Sequence, residues 1–295
     1  MYEILSAKTL AENIYCFEVE AKRVSARCMP GQFVIVRTCN SGERIPLTIC
    51  DYNREKGTIT LVFQVVGKSS LELSKLKEGD SLCDIAGPLG CKSELCDLGT
   101  EELKNKNILF VAGGVGTAPV FPQVKWIYEQ GGSCDVIIGA KTKDLVILED
   151  ELKAYCNNLY ITTDDGSKGD KGLVTDCIKK LYKDGKSYDH CIAIGPMIMM
   201  KFVCLTTKEL SLPTTVSLNP IMVDGTGMCG ACRVTVDGQV KFACVDGPEF
   251  DGHKVDFDEC MKRAQTYKTA EGRAYLKEIE GDTHYGSCGH CGGDD

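Results

Sequence analysis

The sequence predicts an α/β unit joined to an all-β one: an antiparallel β-barrel, then a doubly wound parallel-sheet nucleotide domain, then a small cluster-binding subdomain. Three observations predict this. Short alternating apolar segments separated by Gly and Pro fill residues 1–98. From about residue 104 apolar strands alternate with stretches of helical length and pattern. Residues 224–232 then read Asp-Gly-Thr-Gly-Met-Cys-Gly-Ala-Cys, where cysteines at metal-ligand spacing replace that alternation.

The barrel strands are expected at 2–6, 14–20, 33–38, 46–51, 58–65 and 81–86, with one helix at 69–76 whose Leu71, Leu73 and Leu76 give it an apolar side. The second unit, 104–217, starts with a continuous apolar strand at 107–112. A glycine loop and a helix at 117–130 follow. Strands at 134–139, 159–163, 190–194 and 214–217 then alternate with helices near 148–155, 173–181 and 197–209. The third unit is 218–255, with two short strands around an Asp237-Gly238 turn. Residues 256–295 form a helical C-terminal tail that ends in a polar stretch of Cys, His and Gly.

Composition narrows the function classes. A chain of 295 residues with 43% hydrophobic and 26% charged content fits two or three soluble units. The formal charge of −8, from 34 basic and 42 acidic residues, gives no basic footprint for nucleic acid. No apolar run reaches membrane-spanning length, and the first residues lack the basic and apolar regions of a signal peptide, so no membrane insertion and a cytoplasmic location are expected. Eighteen cysteines without a secretory signal argue for a reducing compartment. Cys16, Cys50, Cys134, Cys156, Cys177 and Cys204 lie inside apolar patterns and read as small buried hydrophobes.

The cluster loop carries the clearest chemistry. Its pattern is Asp224-x4-Cys229-x2-Cys232-x11-Cys244. Two thiols two residues apart reach one metal centre, and Gly225, Gly227 and Gly230 let backbone amides wrap toward sulfur. Three thiolates beside such a loop fit an iron–sulfur cluster better than zinc. Asp224 stands where a first cysteine would, as a harder ligand that takes up a proton; its bland reading is a turn residue, with another cysteine completing the site.

In the barrel, Arg44, Pro46, Leu47 and Thr48 stand at a strand edge. A cation and a hydroxyl around a proline suit a phosphate and the edge of a flavin ring, although Arg44 alone fits a surface ion pair. Gly67, Lys68, Ser69 and Ser70 open the helix, where free amides receive anions such as pyrophosphate; Ser69 also fits an ordinary N-cap.

In the second unit Gly113, Gly114, Gly116, Thr117, Ala118 and Pro119 join a strand to its helix. Pro119 takes the last place of a dinucleotide fingerprint and suits the first helical turn. Three glycines in four positions weaken the backbone without return unless a ligand lies close, which disfavours a bare tight turn. Gly195, Pro196 and Met197 follow a strand at the carboxyl edge. Asp164 and Asp165 end another on that edge, and read equally as ribose contacts or as a turn. Lys141 and Lys143 would attract a 2′-phosphate, so chemistry alone leaves NAD against NADP open. In the tail, His284, Cys288, His290 and Cys291 have metal spacing but sit at a glycine-rich terminus, where adventitious binding is the simpler reading.

A barrel, a Gly-x-Gly-x-x-Pro loop and a cluster loop in this order resemble the ferredoxin–NADP reductase superfamily, arranged as in the electron-transfer subunits of class B dihydroorotate dehydrogenase. Arg44–Thr48 is similar to that group's flavin motif and Gly113–Pro119 to its nicotinamide motif. Residues 217–235 and 242–253 resemble more closely the small (alpha) subunit of the electron-bifurcating NADH-dependent reduced ferredoxin:NADP oxidoreductase, a family also called sulfide dehydrogenase. An aspartate at the first ligand place marks this family; the dihydroorotate group has cysteine.

The resemblance covers about residues 1–255 and implies FAD on the barrel, NAD(H) on the second unit and a [2Fe-2S] cluster on the loop. It implies a larger flavoprotein partner bearing [4Fe-4S] clusters, with ferredoxin serving the complex. The expected role is an oxidoreductase subunit without acid–base catalytic residues, the cofactors carrying the chemistry. The alternatives are the electron-transfer subunit of NAD-dependent dihydroorotate dehydrogenase B and a non-enzymatic redox sensor.

Overall fold

A computed structural model describes residues 1–281. The tail residues His284, Cys288, His290 and Cys291 lie outside the described residues.

Strands β1 (Tyr2–Ala11) and β2 (Ile14–Glu20) form a hairpin through Asn13, which takes φ 59°. A short α1 (Lys22–Ser25) leads to β3 (Phe33–Arg37), β4 (Ile45–Asn53) and β5 (Thr58–Gln64), followed by α2 (Lys68–Ser74), β6 (Ser81–Leu82) and β7 (Asp84–Leu89). All pair antiparallel in the order β6-β1-β2-β5-β4-β3-β7. The two edge strands are separated only by Cys83, so the sheet curls almost closed. The strand expected at 81–86 is therefore two strands, broken at Cys83, whose amide bonds the Arg37 carbonyl at the end of β3 at 2.9 Å. Alternate residues, among them Phe17, Val34, Val36, Ile49, Leu61 and Phe63, fill the interior.

After α3 (Thr100–Lys104) come β8 (Ile108–Gly113), α4 (Thr117–Glu129), β9 (Cys134–Ala140), α5 (Glu149–Lys153), β10 (Asn158–Thr163) and β11 (Asp170–Lys171). Then follow α6 (Val174–Lys183), β12 (His190–Ile194), α7 (Met197–Glu209) and β13 (Thr214–Ser217). The cluster segment contributes a hairpin, β14 (Arg233–Val236) and β15 (Gln239–Phe242), and then β16 (Glu249–Asp251); α8 (Phe257–Arg263) and α9 (Lys268–Glu280) end the described chain. Asp237 and Gly238 both take positive φ, 53° and 70°, as a tight two-residue hairpin turn requires.

The second sheet runs β11-β10-β9-β8-β12-β13-β16, parallel except for β16. From β8 the chain builds outward to β9 and β10, then returns to add β12 on the other side, so a switch point lies between β8 and β12. Strand β8 is buried on both faces: Ile108, Phe110 and Ala112 join the core beneath α4, while Leu109 and Val111 join the core beneath α6 and α7.

Candidate functional site

The loop after β8 begins with a half turn at 114–116 and enters α4, where Thr117 Oγ1 donates to the Gly114 carbonyl at 2.8 Å. Packing explains most of its glycines. A Cβ on Gly113 would strike the Met199 sulfur and stand 2.9 Å from Pro196 Cδ. One on Gly116 would strike the Ile194 carbonyl and stand 2.8 Å from Gly195 Cα, and one on Gly195 would stand 3.0 Å from Gly113 Cα. The loops after β8 and β12 are thus pressed together at the switch point. What lies close to Gly113 and Gly116 is the neighbouring loop itself. Gly114 alone has φ +55° with nothing within 4 Å of a Cβ, so its backbone faces open space.

Asp164 and Asp165 end β10, two strands away from β8. Asp165 Oδ1 accepts from the Ser167 amide (2.9 Å) and hydroxyl (2.7 Å), and these bonds hold its carboxyl below the usual range. The geometry is that of a turn. The Ser167 hydroxyl in turn accepts from the Lys143 amide at 2.8 Å, linking the loops after β9 and β10.

On the barrel, residues 45–48 of β4 remain partly exposed, although β4 lies between β3 and β5. Strand β5 touches the 114–116 turn and α4 lies along β4, where Lys125 pairs with Asp51 at 2.8 Å. Helix α4 and the turn that leads into it are therefore packed against the barrel at β4 and β5. Around α2, Ser70 Oγ accepts from the amides of Val66 (3.0 Å) and Gly67 (3.1 Å), while Ser69 bonds Glu43 and Lys68 pairs with Glu72 at 3.6 Å. Ser70 serves the helix cap.

The cluster loop is built onto the barrel. Cys232 and Cys244, 1% and 2% exposed, share a core with Phe33, Ile35, Met222 and Ala243. Their Sγ atoms lie 3.2 Å apart. Burial and the neighbouring Cys232 push the Cys244 thiol up to about 11, while the Gly227 amide works against that rise. Cys229 is exposed, yet amides of Ala231, Asp224 and Val223 directed at its sulfur hold the thiol below its ordinary value. Asp224 Oδ2 accepts from the Thr226 amide at 3.0 Å and from its hydroxyl; these bonds depress its carboxyl, with the Met228 amide and Arg44 adding to the effect. Among the described residues no three His, Cys, Asp or Glu side chains already stand together as a metal centre.

Two contacts tie this loop to the barrel motif. Arg44 donates from Nε to the Val223 carbonyl (3.3 Å) and from Nη2 to that of Asp224 (3.2 Å). Gly225, at φ +82°, lies so close that a Cβ would come within 2.9 Å of Ile35 and 3.0 Å of Leu89. Ile35 pairs directly with Pro46 across β3 and β4. One strand spacing, about 5 Å, thus separates the strand under the cysteines from the one bearing Pro46 and Thr48. Sequence reasoning missed Arg44 as a tether of the loop, because both acceptors are backbone carbonyls some 180 residues away. It also missed Ser93, Gln123 and Glu249, whose only signal is an isolated acid between Pro248 and Phe250.

The profile of the iron-sulfur cluster binding domain of dihydroorotate dehydrogenase B matches residues 219–256, and that of the oxidoreductase NAD-binding domain matches 110–205. The chain is 60% identical to an uncharacterized protein from the adh 3′ region of Clostridium beijerinckii, over 100% of both chains. It is 49% identical to a dihydroorotate dehydrogenase B (NAD(+)) electron transfer subunit homolog of Thermotoga maritima, over 94% of this chain and 95% of that one. Among solved structures, a chain from work on flavin-based electron bifurcation by NADH-dependent reduced ferredoxin-NADP oxidoreductase superposes with TM-score 0.87 at 47% identity, covering 95% of this chain and 98% of that one. Phthalate dioxygenase reductase, at 16% identity and TM-score 0.56 over 80% and 85% of the two chains, shares the fold.

Proposed function

Because this chain belongs to the family of dihydroorotate dehydrogenase B electron-transfer subunits and their homologues, we propose that it is the small, electron-transferring subunit of a bifurcating oxidoreductase. It passes electrons between NAD(H), FAD and a [2Fe-2S] cluster to a larger flavoprotein partner, within ferredoxin-dependent reduction of NADP by NADH. The observation that carries this reading is the shared packing of Cys232 and Cys244 on β3, the strand paired with the Arg44–Thr48 segment.

The residues fit these groups. The donor set offers thiols at 229, 232 and 244 and an ionised carboxyl at 224, with loop amides directed at sulfur. Asp224 and Cys229 stand on the outer turn and Cys232 and Cys244 beneath it, so the two pairs would hold a cluster from opposite sides. Arg44, Pro46, Leu47 and Thr48 would line the flavin. Gly67, Lys68, Ser69 and Ser70, at the start of α2, would receive its pyrophosphate, with the Ser69 hydroxyl exchanging Glu43 for phosphate. Gly113, Gly114, Gly116, Thr117, Ala118 and Pro119, with Gly195, Pro196 and Met197, form the nicotinamide edge. Asp164 and Asp165, in the turn that ends β10, would meet a ribose if a nucleotide reaches that strand. When bound, the flavin exchanges a hydride with nicotinamide and single electrons with the cluster. The chain's own contribution is distance and orientation: tight loops at the switch point, and Arg44 fastening the cluster loop against the barrel.

The larger partner would carry the second flavin, the [4Fe-4S] clusters and the ferredoxin contact. A cytoplasmic setting agrees with the free thiols of the described cysteines. Among the described residues no helix is long and apolar enough to cross a membrane.

The test is anaerobic purification of the native complex, followed by assay of NADP reduction by NADH with and without reduced ferredoxin. Strict dependence on both donors supports the bifurcating reading. NADP reduction from either donor alone would reduce the chain to a simple diaphorase-type module. Dihydroorotate-driven reduction of NAD, with no NADP activity, would favour the second reading, which the cluster-domain profile supports and Asp224 opposes.

A further inference from the structure

The junction of the three units is closed by one carboxyl group. Glu249 heads β16, the strand by which the cluster segment joins the nucleotide sheet through pairing with Ser217 on β13. Its Oε1 accepts from Gln123 Nε2 at 2.6 Å, and Gln123 Oε1 accepts from Ser93 Oγ at 3.1 Å. Ser93 and Gln123 are each 1% exposed. Ser93 belongs to the linker leaving the barrel, and Gln123 to α4, the helix behind the glycine loop. Gly31 completes the enclosure: a Cβ there would stand 2.8 Å from the Ser93 amide and 3.2 Å from Glu249 Oε1. Backbone bonds fix the same corner, from the Cys91 amide to the Gly247 carbonyl (2.6 Å) and from the Leu218 amide to the Pro248 carbonyl (2.9 Å).

We propose that the Glu249 carboxyl is a proton-operated latch, holding the cluster unit, the barrel linker and α4 together when protonated and loosening them when ionised. The groups around it leave a negative charge without compensation. The titratable side chains facing it are Glu94 and Cys96 on the turn at 94–97, neither of which supplies positive charge. Helix α4, strand β13 and the Gly31 loop present Gln123, Ser217 and Gly31, which do not titrate. Although the residue keeps partial exposure, its carboxyl is set deep, and this burial together with Glu94 pushes it up to about 7 against the pull of the neighbouring Ser93 and Gln123 donors. The latch therefore works across neutral pH, with the proton exchanged with solvent and no other reactant needed. It requires nothing of the bound cofactors and stands apart from the electron route proposed above.

The test is hydrogen exchange read by mass spectrometry on the full-length protein as isolated, following peptides over 219–232 and 244–252. Between about pH 6 and about pH 8, after correction for intrinsic rates, protection in these peptides falls about ten-fold, while peptides of the barrel interior hold steady. Glu249→Gln keeps the hydrogen-bonding shape without the charge and abolishes the step, leaving protection at its low-pH level. Glu94→Gln removes the neighbouring charge and moves the midpoint down by a few tenths of a pH unit. Wild-type protection independent of pH, or a step retained in Glu249→Gln, would overturn the latch. Should Glu249→Gln fail to fold, an unmoved midpoint in Glu94→Gln overturns it instead.

Discussion

Arg44 illustrates how one side chain serves two sites. Its guanidinium reaches the Val223 and Asp224 carbonyls, fixing the outer turn of the cluster loop, while the residue itself opens the strand segment assigned to flavin. Lysine has a single nitrogen and cannot reproduce the paired donation. Arg44→Ala is expected to release both bonds and lower cluster content and flavin retention together, and Arg44→Lys to recover only part of each; iron, sulfide and flavin analysis of the purified variants reads this. Unchanged cluster content in Arg44→Ala would show the tether to be incidental. Cys232, enclosed beside Cys244, is the thiol whose loss the loop is least able to replace. Cys232→Ser is expected to abolish the cluster's visible absorption while NADH still bleaches the flavin near about 450 nm. A normal cluster spectrum would refute the ligand assignment, and fast flavin bleaching would also remove the pure sensor reading.

The element scale divides what was legible from what was not. The strands at 14–20, 190–194 and 214–217 and the helix at 197–209 were readable to the residue, because apolar period and bounding turns agree there. Strands β11 and β16, of two and three residues, carry no periodicity, and β16 includes Glu249. Only tertiary pairing makes them strands. The cluster-binding segment, and the four positions proposed as its ligands, stood out because spacing along one loop is a local property. Loop-to-loop packing at the switch point did not, since Met199 and Ile194 meet Gly113 and Gly116 across about eighty residues of chain. That packing separates the glycines experimentally. Gly116→Ala, driving a methyl into the Ile194 carbonyl, is expected to cost about 2–3 kcal/mol. Gly114→Ala, strained only by its positive φ, should cost about 1 kcal/mol and act mainly on NADH affinity. Thermal melting with NADH titration distinguishes them; equal losses would mean that the switch-point contacts yield more easily than the geometry implies.

At the scale of the whole molecule, the barrel and the cluster unit share the cysteine core on β3, and all three units converge at the carboxyl junction of Glu249. The second makes the fold's stability depend on pH in a definite direction. Glu249 ionises near its ordinary 4.5 in the unfolded chain but at about 7 in the folded one. Between these values only the fold retains the proton. Its contribution is therefore fully present below about 4.5 and is lost as pH rises from there through about 7, by about 3 kcal/mol in all. Two histidines act oppositely. His190, bonded to Thr215 at 2.9 Å, and His253, bonded to Thr207 at 3.0 Å, are both held by burial below their ordinary range. The unfolded chain takes up their protons first, so their contribution is present above about 6.5 and is lost toward acid. The two effects oppose each other between about 4.5 and about 7, so wild-type stability changes less there than either kind of group alone would dictate, and their contributions level off above about 7. Glu249→Gln should make stability rise more steeply with pH across that window; His253→Gln should make it rise less. Denaturant unfolding across the pH range reads both, and a profile unchanged between about 4.5 and about 7 in Glu249→Gln would mean that the junction carboxyl takes up no proton on folding.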